Sequence, residues 1–224
     1  MDKGKYIIER MQMFRKALDL TYTVTPIRSV FDMACNNGYW LNVANRFYPQ
    51  AKYLGMDTLD FSDRGWKEFT KRNVKFQQGN SLNHLKKNKE KYDMVLSMGV
   101  MYYYNDIDDF LDTVMGATKS TVLIDTFVID SSEESVTVEN PRNLMVDAAE
   151  EESGFVTIPS ENKIINYLES NKFLCYKVDS FTESYNDSVG KRLDINCKRS
   201  AILGIKRRDY SGETKYPRMF KSPI

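Results

Sequence analysis

The chain has 224 residues, of which 42% are hydrophobic, 12% aromatic and 28% charged, with a mean hydropathy of −0.52. That is enough apolar mass for one substantial core, so a disordered chain is excluded and a single domain over residues 1–224 is expected. A run of about 18 apolar residues, the length that spans a bilayer, is missing, and the start MDKGKYIIERMQMFRK lacks the apolar centre of a secretory signal. Cys35, Cys175 and Cys197 form no C-x-x-C pair, which argues against a disulfide framework or structural zinc. A reducing, cytoplasmic setting without membrane partners is expected. The formal net charge of +1 hides an uneven distribution. Residues 1–104 carry 17 Lys and Arg against 10 Asp and Glu, residues 105–170 carry 3 against 15, and residues 185–224 carry 10 against 4. The basic ends suit a polyanion or a solvated surface alike.

In chain order, residues 1–27 read as an N-terminal helical segment. Ser29–Met33 (SVFDM) reads as a strand, and Tyr39–Phe47 as a helix, with Trp40, Leu41, Val43, Ala44 and Phe47 at helical spacing. Lys52–Met56, Val74–Gln77, Tyr92–Ser97 and Thr121–Ile129 are further strands, with a helix over Asp108–Gly116 before the last of them. Residues 130–158 are acidic, polar and weakly periodic, as in a lid or an insertion. Pro159 and Ser160 then start a helix carrying Ile164, Ile165 and Leu168. Strands at Leu174–Phe181 and Arg199–Ile205 close the chain, with a polar loop over 182–198 between them. Strands separated by helices of this length predict a doubly wound, mainly parallel α/β sheet.

The stretch VFDMACNNGYW (30–40) runs from strand through acid and small-residue turn into helix. Ala34, Asn36, Asn37 and Gly38 tolerate a tight turn in which backbone approaches a ligand. A G-x-G-x-x-G pyrophosphate cradle is missing. The Asp32 carboxylate would instead repel a pyrophosphate and favour a cation such as an ammonium or sulfonium; an ordinary βα turn is the alternative. Asp57, 25 residues further on, ends another strand, where an acid either accepts both hydroxyls of a ribose or caps the next helix. Asn80 with Ser81, and Gly99, follow the next two strands. Asp32, Asp57, Asn80 and Gly99 thus fall at successive strand ends, the rim at which open α/β sheets bind ligands. The one histidine, His84, reads as a solvated surface residue, and neither a covalent catalytic constellation nor a transition-metal site is implied.

The loop D-x-A-x-N-x-G resembles the D/E-x-G-x-G-x-G loop of class I S-adenosylmethionine-dependent methyltransferases, with Ala34 and Asn36 in place of two glycines. YDMVLSMGVMYYYND (92–106) resembles that family's fourth-strand motif D-x-V-x-x-x-G-V-L-Y-H, with Tyr103 where histidine is usual. The stretch is most similar to the tRNA wobble-uridine 5-oxyacetate carboxymethyltransferase group, which carries S-M-G-V-L-Y-H. The likeness extends through the I-P-S helix start to KRSAILGIKR, from Arg28 to Arg207.

The resemblance implies the Rossmann-like class I methyltransferase fold, a mainly parallel seven-stranded sheet with one antiparallel strand. It implies S-adenosylmethionine held by Asp32, Ala34, Asn36, Gly38, Asp57, Asn80 at the adenine edge, Ser81 and Gly99. Tyr102 aligns with a tyrosine that touches the carboxylate of carboxy-S-adenosylmethionine in the similar group, and Arg192 or Lys191 with an arginine of the same role. That group's N-terminal lysine has no counterpart in residues 1–27. Methyl transfer is therefore expected over carboxymethyl transfer, unless Lys3, Lys5 or Arg10 supplies the cation. Tyr102, Tyr103 and Tyr104 are the candidates for positioning an acceptor. The expected acceptor is a small-molecule hydroxyl, such as a sugar's. The alternatives are a wobble uridine of tRNA, or a protein that binds S-adenosylmethionine without transferring a group.

Overall fold

The computed structural model describes residues 3–63, 65–68, 73–130, 134–139, 155–180 and 195–207. Five strands, β1 (Ser29–Met33), β2 (Lys52–Asp57), β3 (Val74–Gln78), β4 (Tyr92–Met98) and β5 (Thr118–Ile129), pair in parallel in the order β3-β2-β1-β4-β5. Two later strands, β8 (Phe173–Ser180) and β9 (Cys197–Lys206), complete the sheet. β9 lies antiparallel between β5 and β8, with Asp125 opposite Ala201 and Phe127 opposite Arg199. This is the expected seven-stranded, mainly parallel sheet, with β9 as its one reversed strand.

Strand side chains alternate between the two faces, so each face builds its own core. On one face Phe31, Val95, Ile124 and Ile202 pack with Leu82 and Leu85 of α3 (Ser81–Lys87), Phe110, Leu111 and Val114 of α4 (Ile107–Ala117), and Ile164 and Leu168 of α5 (Glu161–Ser170). On the other, Val30, Leu96, Leu123 and Leu203 pack with Met13, Phe14 and Leu18 of α1 (Lys3–Val24) and Leu41 and Ala44 of α2 (Tyr39–Phe47). Two of the helix starts are set by short polar side chains: Asp106 accepts from Asp109 N at 2.9 Å to cap α4, and Ser160 accepts from Lys163 N at 3.1 Å to cap α5.

Residues 130–158 contribute β6 (Ser135–Glu139), and β7 (Phe155–Pro159) overlaps the end of that stretch. The two form an antiparallel pair outside the main sheet. Val156 and Ile158 pack on Tyr102, Phe127 and Ile129, so the pair is anchored at the C-terminal ends of β4 and β5. Three details depart from the sequence expectation. α3 forms over a polar run in which Leu82 and Leu85 are the apolar residues that turn inward, with Ser81 buried beside them. His84 is half-buried on that helix, stacked on Phe31 at 5.7 Å and 6°, and burial holds its pKa below the usual value. β9 begins at Cys197, inside the stretch expected as loop.

Phe110 is fully buried, at 0% exposure, between α4 and the sheet. Phe110→Ala should remove about 3–5 kcal/mol of stability. Thermal unfolding checks this, and the variant's midpoint is expected to fall clearly below that of the parent.

Candidate functional site

β1, β2, β3 and β4 end at one rim, and glycine and small residues turn the chain there. Ala34 (φ 50), Asn36 (φ 49), Gly38 (φ 82), Gly79 (φ 148) and Gly99 (φ 85) all have positive φ. The two residues that stand where the resembling loop has glycine therefore sit in the left-handed region. Asn adopts it at modest cost, whereas Ala34 bears a penalty on the order of 1–2 kcal/mol. Backbone bonds knit the rim: Cys35 N donates to Met56 O at 2.9 Å, Gly79 N to Asp57 O at 2.7 Å, and Gly99 N to Asp125 O at 2.7 Å.

Asp32 is wholly buried, and neither carboxylate oxygen has a hydrogen-bond partner among the described residues. Its pKa is raised well above the usual carboxylate value, first by burial and then by the nearby Asp57, while Arg10 pulls it down. A buried, unpartnered carboxylate is costly unless a cation meets it. This is the feature a ligand's ammonium would satisfy. Asp57 accepts from Asn36 N at 2.8 Å and from Leu59 N at 3.0 Å, so it already shapes the β1–α2 loop and its own turn. Each oxygen keeps a further lone pair for a ribose hydroxyl. Asn80 accepts from Asn83 N at 2.7 Å as the α3 cap, so its oxygen serves the helix and its amide group is the part left for a base edge. Ser81 beside it is buried.

A second cluster adjoins this rim. Arg199 grips Asp125 through Nε to Oδ1 at 2.6 Å and Nη2 to Oδ2 at 2.9 Å. Arg10 of α1 donates Nε to Oδ2 of the same carboxylate at 2.9 Å and Nη2 to Met98 O at 3.2 Å. Burial raises the Asp125 pKa, but the two guanidiniums outweigh it and hold the group below its usual value. Gly99 is favoured here by its φ of 85, and a Cβ would also lie 2.6 Å from Arg199 Nη2, so a larger residue would displace that guanidinium. The same point is 3.3 Å from Arg10 Nη2 and 3.5 Å from the Tyr102 hydroxyl. The Tyr102 ring packs on Tyr103 and Phe127, each at 4.8 Å. Burial, followed by the Tyr102 hydroxyl, pushes the Tyr103 phenol up, so it stays protonated at neutral pH. The Tyr104 ring packs on Phe110 at 4.9 Å. The Cys35 thiol is likewise raised by burial and by Asp32 and Asp57, so it is no nucleophile.

Lys191 and Arg192 lie outside the described residues, as do the side chains of Lys3 and Lys5. Among the described residues, Arg199 and Arg10 are the arginines that come near the Tyr102 hydroxyl, both beside Gly99. Asp125, Arg199 and Trp66 were missed by sequence reasoning. The available signal for Asp125 was a lone acid inside the apolar run TVLIDTFVI. Trp66 Nε1 donates to Asn36 O at 2.8 Å from a turn 30 residues away. Among the described residues, no group of three or more His, Cys, Asp or Glu is placed to hold a metal, and no helix is long and apolar enough to cross a membrane.

A family model described as "Methyltransferase domain" matches residues 27–173. A curated protein from Aliarcobacter butzleri, tRNA U34 carboxymethyltransferase, is 28% identical over 191 residues, covering 78% of this chain and 60% of its own length. The chain therefore spans well under two thirds of that relative. The N-terminal domain of EvdMO1, solved in the presence of SAH and D-fucose, superposes with a TM-score of 0.66 at 13% identity, covering 87% of this chain and 83% of that one. Magnesium protoporphyrin IX methyltransferase (ChlM) from Synechocystis PCC 6803, with bound SAM, gives 0.60 at 10% identity, covering 92% and 85%. At such identities the likeness is one of fold.

A raised carboxyl pKa makes a definite prediction. Asp32's contribution to folded stability is present below the unfolded value of about 4 and is lost as pH rises through its raised folded value. Asp125, held low, contributes above about pH 4 and is lost only in more acidic solution, so the two windows separate. As pH rises from about 4 towards neutrality, the ligand-free protein should therefore lose thermal stability relative to Asp32→Asn. A parallel pH course for the two proteins would show that the Asp32 pKa is not raised in the folded state.

Proposed function

The chain belongs to the methyltransferase domain family, and from that premise we propose that it transfers a methyl group from S-adenosylmethionine to a hydroxyl of a small molecule such as a sugar. The observation that carries the donor half is the unpartnered Asp32 carboxylate at the β1 rim, beside the left-handed turn and Asp57. Asp32 would meet the donor's ammonium, Asp57 the ribose, and Asn80 with Ser81 the adenine edge. When bound, the donor supplies an electrophilic sulfonium methyl, so the protein's task is alignment and exclusion of water. Buried Tyr102 and protonated Tyr103 orient an acceptor hydroxyl, and the β6–β7 pair packed on Tyr102 shields that side.

The small-molecule reading is supported by charge. Among the described residues around the rim, Asp60, Asp63, Asp106, Asp130 and Glu134 are exposed. A phosphate backbone is repelled by such a border. The EvdMO1 domain, solved in the presence of D-fucose, accords with a sugar-sized acceptor.

A second reading is methyl or carboxymethyl transfer to a tRNA wobble uridine. It is favoured by the Aliarcobacter relative and by the Arg10–Asp125–Arg199 cluster. The cluster brings Arg10, a cation of the N-terminal segment, near Tyr102, which supports a carboxylated donor on this reading.

One set of binding measurements separates the readings. S-adenosylmethionine should bind at least as tightly as its carboxylated form, and tRNA should bind weakly with a shallow salt dependence. Tight tRNA binding that falls steeply with salt, or a clear preference for the carboxylated donor, would overturn the small-molecule methyl transfer proposed.

A further inference from the structure

The β1–α2 loop is held from outside by a residue that belongs to neither flanking element. Trp66 opens a short 3₁₀ turn, Trp66–Glu68, after β2. Its indole N–H donates to the carbonyl of Asn36 at 2.8 Å. From the other side Asp57 accepts the Asn36 N–H at 2.8 Å. The Asn36 N–H is thus tied to the last residue of β2 and its carbonyl to the turn that follows, while Asn36 sits at φ 49 in the left-handed region.

The clasp is itself braced. The Trp66 ring lies flat on Phe76 of β3, with centroids 5.2 Å apart and planes 5° apart, and Phe61 packs beside it at 6.1 Å. Gly65 abuts the loop so closely that a Cβ there would stand 2.5 Å from the Asn37 Cβ. The loop's other N–H groups are met locally, Asn37 N by Asn36 Oδ1 at 2.8 Å and Tyr39 N by Asn37 Oδ1 at 3.2 Å. The indole bond therefore links the loop's carbonyl side to the body of the sheet.

We propose that Trp66 is a positioning residue for the donor. By holding the Asn36 carbonyl it keeps the Asn36 peptide in the conformation that presents the loop backbone to the donor. The proposal rests on the reading of the Asp32 and Asp57 rim as the donor site. A loop that reaches its competent conformation only part of the time weakens binding by that fraction. Trp66 thereby makes donor affinity depend on the segment 61–66, which contributes none of the carboxylates assigned to the donor.

Trp66→Phe tests this, because it keeps a ring on Phe76 and removes only the N–H donor. Calorimetry with S-adenosylhomocysteine should show affinity reduced roughly three- to tenfold, the span of one neutral hydrogen bond. The thermal midpoint of the free variant should stay at the parent value, and amide exchange should quicken at Asn36, Asn37 and Gly38 while the core of the sheet is unaffected. In the parent protein, the Trp66 indole N–H resonance should shift when S-adenosylhomocysteine is added. Unchanged affinity in Trp66→Phe, or a loss matched by a drop in thermal midpoint and faster exchange throughout the sheet, overturns the clasp. Failure of the parent protein to bind S-adenosylhomocysteine overturns the donor reading and the clasp together.

Discussion

A carboxylate with no hydrogen-bond partner among the described residues, sealed in the end of the first strand, is the constraint around which the rim is arranged. Asp32 is wholly buried, and burial, with Asp57 adding to it, presses it towards its neutral form. Such a group destabilises the free protein and becomes favourable only when a cation arrives. The glycine and small-residue turn beyond it, the strand-end backbone bonds and the Asp57 contacts lie at the same strand ends as that one acid. The proposed donor answers it with an ammonium group and a ribose, which is why the site's chemistry is one of alignment rather than of a strong base or nucleophile. The raised thiol of Cys35 and the raised phenol of Tyr103 point the same way.

The Arg10–Asp125–Arg199 cluster contrasts with Asp32. Its carboxylate is fully buried too, but two guanidiniums stabilise its charge. It joins three distant parts of the chain, α1, β5 and β9, at the end of β4. The N-terminal helix is thereby fastened across the strand ends and becomes a wall of the site, with Arg10 also lying 4.9 Å over the Trp40 ring of α2. Gly99 marks the junction between the Asp32 rim and this cluster, where a residue without a side chain is favoured.

Much of this was legible in the sequence where the signal is local. β1 and α2 fall on the residues expected of them because a strand, an acid, a small-residue turn and a helical apolar stripe follow within 19 residues. The parallel pairing of the strands followed from the helices between them, whereas their order in the sheet did not. α3 was not legible: SLNHLKK offers only Leu82 and Leu85 to the core, and its cap Asn80 reads equally as a turn residue or a ligand contact. Arg199 gives no local sign of its role: the antiparallel register of β5 and β9 places it opposite Phe127 and beside Asp125. That pairing spans 74 residues, and no local pattern encodes it. The same applies to the bond from Trp66 to Asn36.

The central claim is that Asp32 awaits a ligand ammonium. Its most direct test is calorimetric comparison of S-adenosylhomocysteine with an analogue that lacks only the α-amino group. The account predicts that the deaminated analogue binds the parent protein at least tenfold more weakly, and that Asp32→Asn binds the two ligands with nearly equal affinity. Equal binding of the two ligands by the parent protein would contradict it.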